Sequence, residues 1–353
     1  MAGLSRRSVA KGLAALALPN AAEAQATGAL RIGFGSCARQ TKDQPIWDAI
    51  VAQNPDLFVM LGDGVYADTA HPERMRAAYR RLAEKPEFQR FRVAVPTLAI
   101  WDDHDYGAND AGGDYPMKEE SRRQFCDFWG EPADSPRRTQ EGGIFTAMTL
   151  GPPGRRVQLI APDLRWNRDP ENSSGGWWRM ARQYMAGRIF PDRAIAGPYQ
   201  TVDDPSAVKM LGASQWAWLE ARFAEPADLR VICSSLQVLS EGTGWEAWEQ
   251  FPAERARLLN LIGDAGDVIL LSGDVHYGEI SALARPGVGP LWEATSSGLT
   301  EVWAALPPNA LRTAAYRGRN FGLLTVDWSA QRVLIEVKDE AGVTQLAEAV
   351  GFG

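Results

Sequence analysis

The 353-residue chain predicts an α/β fold built as one large domain. Apolar runs of strand length alternate with helix-length amphipathic stretches, polar clusters follow several of those runs directly, and no internal repeat or break in composition divides the body. With 45% hydrophobic and 23% charged residues, the composition excludes a disordered chain, a coiled coil and a collagen.

The elements follow in order. Segment 30–35 reads as a strand, 45–53 as a helix and 57–61 as a buried strand. Segment 72–83 reads as a helix that starts on Pro72, where a missing backbone N–H costs nothing. A third strand spans 95–101 and a helix 117–129, and 144–150 and 157–161 look like paired strands. Residues 166–212, rich in Gly, Pro, Arg and Trp, show no period and read as a long irregular segment in which Trp177 and Trp178 are candidate pocket walls. Beyond it come a helix at 213–223, a strand at 230–233, a helix at 252–262 and a strand at 267–271. Strands at 280–284, 291–294, 321–327 and 332–338 close the pattern.

Residues 1–26 read as an export signal. Ser5-Arg6-Arg7-Ser8-Val9-Ala10-Lys11 is basic, residues 12–18 are apolar, and the small residues that follow give A-x-A cleavage sites ending at Ala24 and Ala26. The Arg6-Arg7 pair points to the twin-arginine export machinery as a partner and to a periplasmic or secreted location. The main domain then covers 27–353. Formal net charge is −7, which argues against stable nucleic-acid binding through general charge. No run of about 20 apolar residues is present, so no membrane span is read. The three cysteines, Cys37, Cys126 and Cys233, are too few and too odd in number for a disulfide framework.

The chemistry clusters after strands: Ser36-Cys37, Gly62-Asp63, Asp102-Asp103-His104-Asp105, Ser234-Ser235 and Gly273-Asp274-Val275-His276. Open α/β sheets bind ligands beyond the carboxyl ends of their strands, so these segments are expected to converge on one crevice. Carboxylates, imidazole, a thiolate and a phenolate are ligands for paired metal ions, and ions about 3.5–4 Å apart suit phosphate-ester hydrolysis. Gly62 is read as clearing space for metal and substrate beside Asp63.

The segments Gly35-Ser36-Cys37, Leu61-Gly62-Asp63-Gly64-Val65-Tyr66, Trp101-Asp102-Asp103-His104-Asp105 and Ser272-Gly273-Asp274-Val275-His276 together resemble the PhoD-like alkaline phosphatases, of the calcineurin-like metallophosphoesterase superfamily. The resemblance runs from about residue 29 to about residue 340. It implies a four-layer αββα sandwich, in the short form that lacks an extra N-terminal β domain. It also implies a phosphoric ester hydrolase, of alkaline phosphatase or phosphodiesterase type, acting on small phosphate mono- and/or diesters through attack by metal-bound hydroxide.

Carried over position by position, the resemblance implies that Cys37 and Tyr66 bind iron, that Asp63 bridges both metals, and that Asp103 binds the second metal with Asn109 as a further candidate. Asp274 and His276 align with a metal-binding Gly-His-x-His motif whose first histidine is here aspartate. His104 is implied as the catalytic proton donor and Arg165, in Asp163-Leu164-Arg165, as the substrate-binding residue. The superfamily's middle histidine has no counterpart, Gln237 being the nearest polar substitute. Oxygen in place of nitrogen favours Ca2+ at the second site, while thiolate and phenolate suit Fe3+ at the first. Two rival readings are a cysteine hydrolase acting through Cys37 and a periplasmic phosphate- or metal-binding protein without turnover. Replacing Arg6 and Arg7 together by Lys is expected to retain the protein in the cytoplasm, because the export receptor reads guanidinium groups; fractionation that recovers the variant normally from the periplasm rules this route out.

Overall fold

The computed structural model describes residues 29–352 apart from 172–175, 191–192, 264 and 266, and the signal read at 1–26 lies outside the described residues. In chain order the strands are β1 (Ala29–Gly35), β2 (Leu57–Leu61), β3 (Thr97–Ile100), β4 (Thr146–Leu150), β5 (Val157–Ala161), β6 (Leu229–Cys233) and β7 (Val268–Ser272). They continue with β8 (Gly278–Leu283), β9 (Leu291–Ser296), β10 (Arg312–Tyr316), β11 (Asn320–Asp327), β12 (Arg332–Asp339) and β13 (Thr344–Gly351). The helices are α1 (Ile46–Ala52), α2 (Pro72–Ala83), α3 (Pro86–Ala94), α4 (Asp103–Tyr106), α5 (Lys118–Trp129), α6 (Gly176–Ile189), α7 (Ala213–Phe223) and α8 (Pro252–Ile262).

These strands form two mixed sheets, ordered β13-β12-β11-β1-β2-β3 and β10-β8-β9-β7-β6-β5-β4. The period of two along each strand assigns the layers. In β2, Leu57, Val59 and Leu61 face the other sheet, while Phe58 and Met60 join the outer cluster of Trp47, Met75 and Phe91. In the second sheet Leu159, Val231, Ile269 and Leu271 point inward, and Ile160, Ile232 and Leu270 point out to Trp216, Leu219 and Leu258 of α7 and α8. Both faces of each sheet are therefore covered, which is why these strands read as continuous apolar runs rather than alternating ones. The layers are helix, sheet, sheet, helix: the four-layer αββα sandwich.

The parallel pairings β1–β2–β3 and β5–β6–β7–β9 place the carboxyl ends of those strands at a common edge in each sheet. A backbone bond from Ser36 N–H to Ser296 C=O (3.1 Å) joins the two edges. The polar segments that follow the strands are thus brought to one place.

Four parts of the sequence reading need correction. Segment 166–212 is not irregular throughout, since it contains α6. Its helix signal is masked by the glycines and prolines around it, and in the fold its Tyr184 ring packs on Trp303. Helix α3 and strand β10 have no counterpart in the reading. Segment 332–338 does not close the chain, because β13 pairs antiparallel with β12 along the sheet edge. Leu346 and Val350 of β13 pack on the inter-sheet core with Glu348 between them, and that charge interrupts the alternation a strand reading relies on.

Candidate metal centre

The segments after β1, β2, β3 and β7 turn sharply, and they do so at the residues that carry the chemistry. Among the described residues eight non-glycine positions have positive φ, and six of them are Cys37, Asp63, Asp68, Asp110, Asp274 and His276. Such backbone costs on the order of 1–3 kcal/mol per residue and persists where surrounding structure enforces it. Gly62 has a different task from the one expected. With φ +97°, and with a Cβ there lying 2.5 Å from Asp102 Cβ, it lets the end of β2 pass against the end of β3.

Overlapping donor groups result. Cys37, Asp63 and His276 offer ligand atoms within 4.8 Å of one another, and so do Asp63, Asp102, Asp103 and Asp274. Asp63 also groups with Asp103 and His104. Its carboxylate is therefore shared between a sulfur- and nitrogen-containing set and an all-carboxylate set. Cys37 Sγ lies 3.5 Å from Asp63 Oδ2, 3.2 Å from Ser297 Oγ and 3.3 Å from Ser36 Oγ. Tyr66 O–H is 3.0 Å from His276 Nε2, which brings the phenol beside the first set. Asp103 accepts backbone N–H bonds from His104 and Asp110, both 2.7 Å, so its carboxylate is held without losing all its lone pairs.

The donor set fits paired cations. Asp63 Oδ1 is buried and has no hydrogen-bond partner, and Asp102 Oδ2 is in the same condition. An orphaned buried acceptor costs about 1–3 kcal/mol, more when charged, unless a ligand satisfies it. Burial, then the neighbouring carboxylates, raise the carboxyl groups of Asp63 and Asp274 well above their ordinary range; for Asp63, His104 partly offsets this. Burial, then Asp63, raises the Cys37 thiol. All three groups thus lack the positive charge that would let them ionise, and a bound cation provides it. Burial lowers His276 to about 4, leaving it as the neutral imidazole that metals bind.

His104 behaves oppositely. Burial works against its charge, but the carboxylates of Asp103, Asp63 and Asp68 prevail and raise it to about 11. Its Nδ1 is 2.6 Å from Asp68 Oδ1, and its ring lies 4.1 Å from the Tyr66 ring.

Arg165 is not where the sequence reading expected it. Its Nε bonds Asp102 Oδ1 (2.5 Å) and its two terminal nitrogens bond Glu246 (2.5 and 2.7 Å), so the guanidinium holds carboxylates within the protein. It is fully buried and does not line the cavity beside the donor groups. Asn109 is exposed and does line that cavity, as does Gln237, whose amide donates to Thr295 (3.0 Å) and Glu279 (3.3 Å). Trp178 is not part of the wall, and the Trp177 side chain lies outside the described residues. Cys126 and Cys233 are buried and unbridged.

The sequence reading missed Asp110 and Glu246, which form a further donor group with Asp103, and Asp68 and Ser297, which contact His104 and Cys37. Ser297 follows β9 as the other site residues follow their strands, so the same signal was present. Glu246 stands alone among Trp245, Ala247 and Trp248, and a charge inside an aromatic run signals a buried partner.

The family model for PhoD-like phosphatases matches residues 32–314. The chain belongs to the PhoD-like phosphatase family. It is a metal-dependent phosphoesterase, a phosphoric ester hydrolase, on that membership and on the clustered donors. Among curated proteins none matches it. Among solved structures it is similar to the structure of PhoD (TM-score 0.65, 15% identity, covering 92% of this chain and 72% of that one). It is also similar to a purple acid phosphatase from yellow lupin (Lupinus luteus) seeds (TM-score 0.56, 13% identity, 92% and 54% covered). A third likeness is to GAP50, the anchor in the inner membrane complex of Plasmodium (TM-score 0.53, 10% identity, 92% and 89% covered). At such identities the likeness is one of fold. Among the described residues of this PhoD-like phosphatase, no helix is long and apolar enough to cross a membrane.

Burial is also the largest cause raising Asp105 to about 8 and Asp110 to about 7, from ordinary values near 3.8. A carboxyl protonated in the fold but ionised in the unfolded chain stabilises below its unfolded pKa, and that contribution is lost as pH rises through the folded value. The metal-free protein should therefore lose thermal stability between about pH 5 and pH 8, and metal loading should flatten that decline. Melting curves with and without chelator check this; the same slope in both states contradicts it.

Proposed function

We propose that this protein is an exported phosphoesterase that hydrolyses phosphate mono- and/or diesters at a centre holding Fe3+ and Ca2+. One observation carries the reading: the buried Asp63 carboxylate is shared by donor groups of different chemistry, one with sulfur and nitrogen and one all carboxylate, and has an unpartnered oxygen. Cys37, Tyr66 and His276 with Asp63 would hold the ferric ion, and Asp63, Asp103 and Asp274, with Asn109 nearby, the harder calcium ion. Cations held there supply Lewis acidity toward phosphoryl oxygens and a water acidified to near neutral pH.

The chain's own residues do the rest. His104 faces the cavity as an imidazolium and gives its proton to the departing alkoxide oxygen. Asp68 at Nδ1 and the Tyr66 ring fix its orientation. Arg165 acts through Asp102 and Glu246, keeping the carboxylate wall in place. The export reading rests on Arg6-Arg7 and the A-x-A sites.

Burial opposes a free Cys37 thiolate, which disfavours Cys37 as a nucleophile. The deciding experiment combines elemental analysis with a panel of mono- and diesters, with and without chelator. Turnover that chelation abolishes and iron plus calcium restore is the expected result. Metal uptake without turnover would make this a binding protein, and chelator-insensitive turnover lost in Cys37→Ser would make it a cysteine hydrolase.

Asp63→Asn should lower the content of both metals and reduce activity by more than the roughly 10–100-fold that changes around metal ligands cost. Retention of both metals with near-normal turnover contradicts the bridging role. His104→Ala should keep its metals and lose about 10²–10⁴-fold on alkyl phosphates, with a much smaller loss on p-nitrophenyl phosphate, whose leaving group needs no proton. Equal losses on the two substrates in folded, metal-replete protein contradict proton donation.

A further inference from the structure

A cavity of about 470 Å³ opens beside the donor groups, with Asp103, His104, Asp274 and His276 on its inner side. Much of the remaining lining is apolar and aromatic: Tyr184, Trp245, Trp303, Val275 and Pro307. These residues come from four separate stretches of chain, and the three rings are packed together. Trp303 meets Trp245 edge-on at 4.6 Å and Tyr184 at 5.5 Å. Its backbone N–H bonds the His276 carbonyl (2.8 Å), so this wall is fastened directly to a metal-ligand candidate. Helix α6 reaches the wall at Gly187, where a Cβ would stand 2.7 Å from Trp303 Nε1, so the helix can sit this close only without a side chain there. Trp245 is tied in turn by its indole N–H to the Ile195 carbonyl (3.0 Å).

The charge of the chamber is as informative as its shape. Among the described residues no lysine or arginine lines it, and its cation-capable side chains are the two histidines at the donor groups, His104 and His276. Asp110 and Glu246 add two further carboxylates to the lining. Glu246 is neutralised from behind by Arg165 and Arg168, and Asp110 accepts the Tyr199 O–H, so neither leaves a cation facing the cavity. Away from the donor groups, a second phosphate or a carboxylate on the ester substituent would find carboxylates and, among the described residues, no lysine or arginine to pair with. An uncharged apolar substituent gains area burial and ring contacts.

We propose that Tyr184, Trp245 and Trp303 form a subsite for an uncharged, apolar or aryl ester substituent, making phosphodiesters that carry such a group the preferred substrate class. The proposal rests on the phosphoesterase reading and refines it. The substrate's single negative charge is then met by the metal side of the cavity and its apolar group by the aromatic side.

The test is kcat/KM on dimethyl, dibutyl and diphenyl phosphate, with phenyl phosphate and a diester bearing a phosphorylated substituent as comparisons. The wild-type protein should favour dibutyl over dimethyl phosphate, though their leaving groups are alike, and diphenyl phosphate over phenyl phosphate. It should turn over the phosphorylated diester worst. Trp303→Ala and the more exposed Tyr184→Ala should each lower the dibutyl-to-dimethyl ratio by about 10-fold, the scale of discrimination apolar pockets achieve. Comparing variant with wild type cancels the intrinsic reactivity of each ester. If Trp303→Ala fails to fold, Tyr184→Ala and Trp303→Phe still report the ratio. An unchanged ratio in folded variants, or preference for the phosphorylated substituent, overturns the subsite while leaving phosphoesterase activity standing. If metal-replete protein turns over no ester, that function fails separately, and the subsite is then read from binding of a diphenyl phosphonate-type analogue by tryptophan fluorescence. Binding that weakens about 10-fold in Tyr184→Ala supports the subsite, and no such weakening overturns it.

Discussion

Mutual repulsion among buried carboxylates is the constraint around which this molecule is arranged. Asp63, Asp102, Asp103 and Asp274 are gathered within a few ångströms at the edge where two sheets meet, and Asp63, Asp102 and Asp103 are almost wholly shielded from water. Like charges in such a place cannot all stay ionised without compensation. The protein supplies part of it. Arg165 neutralises Asp102 and Glu246, and Arg168 pairs with Glu246 behind the cavity. Among the described residues no arginine forms an ion pair with Asp63 or Asp274, and that is where the fold leaves a charge deficit for cations to fill. The same deficit that destabilises the empty centre gives it affinity for metal.

Geometry follows from that deficit. Ligand atoms must converge from separate strands, and the chain achieves this by turning at the ligands themselves, with left-handed backbone at Cys37, Asp63, Asp274 and His276. The sandwich makes such turns tolerable. The inter-sheet core locks the strands beneath them, and backbone bonds such as Ala38 N–H to Asp63 C=O (2.9 Å) and Ala67 N–H to His104 C=O (3.0 Å) tie one turn to the next. Since the fold is shared with an anchor protein as well as with phosphatases, the fold alone does not dictate turnover. The chemistry lies in the donors at the strand ends and in the cavity they face.

How much of this was legible in the sequence depended on distance along the chain. Buried strands such as 57–61 and 157–161, and the helices 72–83 and 213–223, were readable to the residue, because covering both faces of a sheet writes an uninterrupted apolar run. That Cys37, Asp63, Asp103, His104, Asp274 and His276 gather at one edge was readable because each follows a strand within a short polar segment. Asp110 and Glu246 were not, because they reach the centre only through tertiary folding, one on the turn beyond α4 and the other on the loop before α8. Arg165 was found but misassigned: sequence shows a guanidinium near a strand end and cannot show which carboxylates surround it. Helix α6 went unread because glycines and prolines surround it, and its contact with Trp303 joins segments far apart in the chain.

The central claim is that Asp63 joins two cations of different character. Anomalous diffraction from crystals of the metal-loaded protein, collected on either side of the iron edge, tests it directly. The account predicts two peaks about 3.5–4 Å apart with the Asp63 carboxylate between them. The iron peak should lie against Cys37 and Tyr66, and the second, which does not follow the iron edge, against Asp103 and Asp274. A single ion, or a pair that leaves Asp63 uncoordinated, would contradict it.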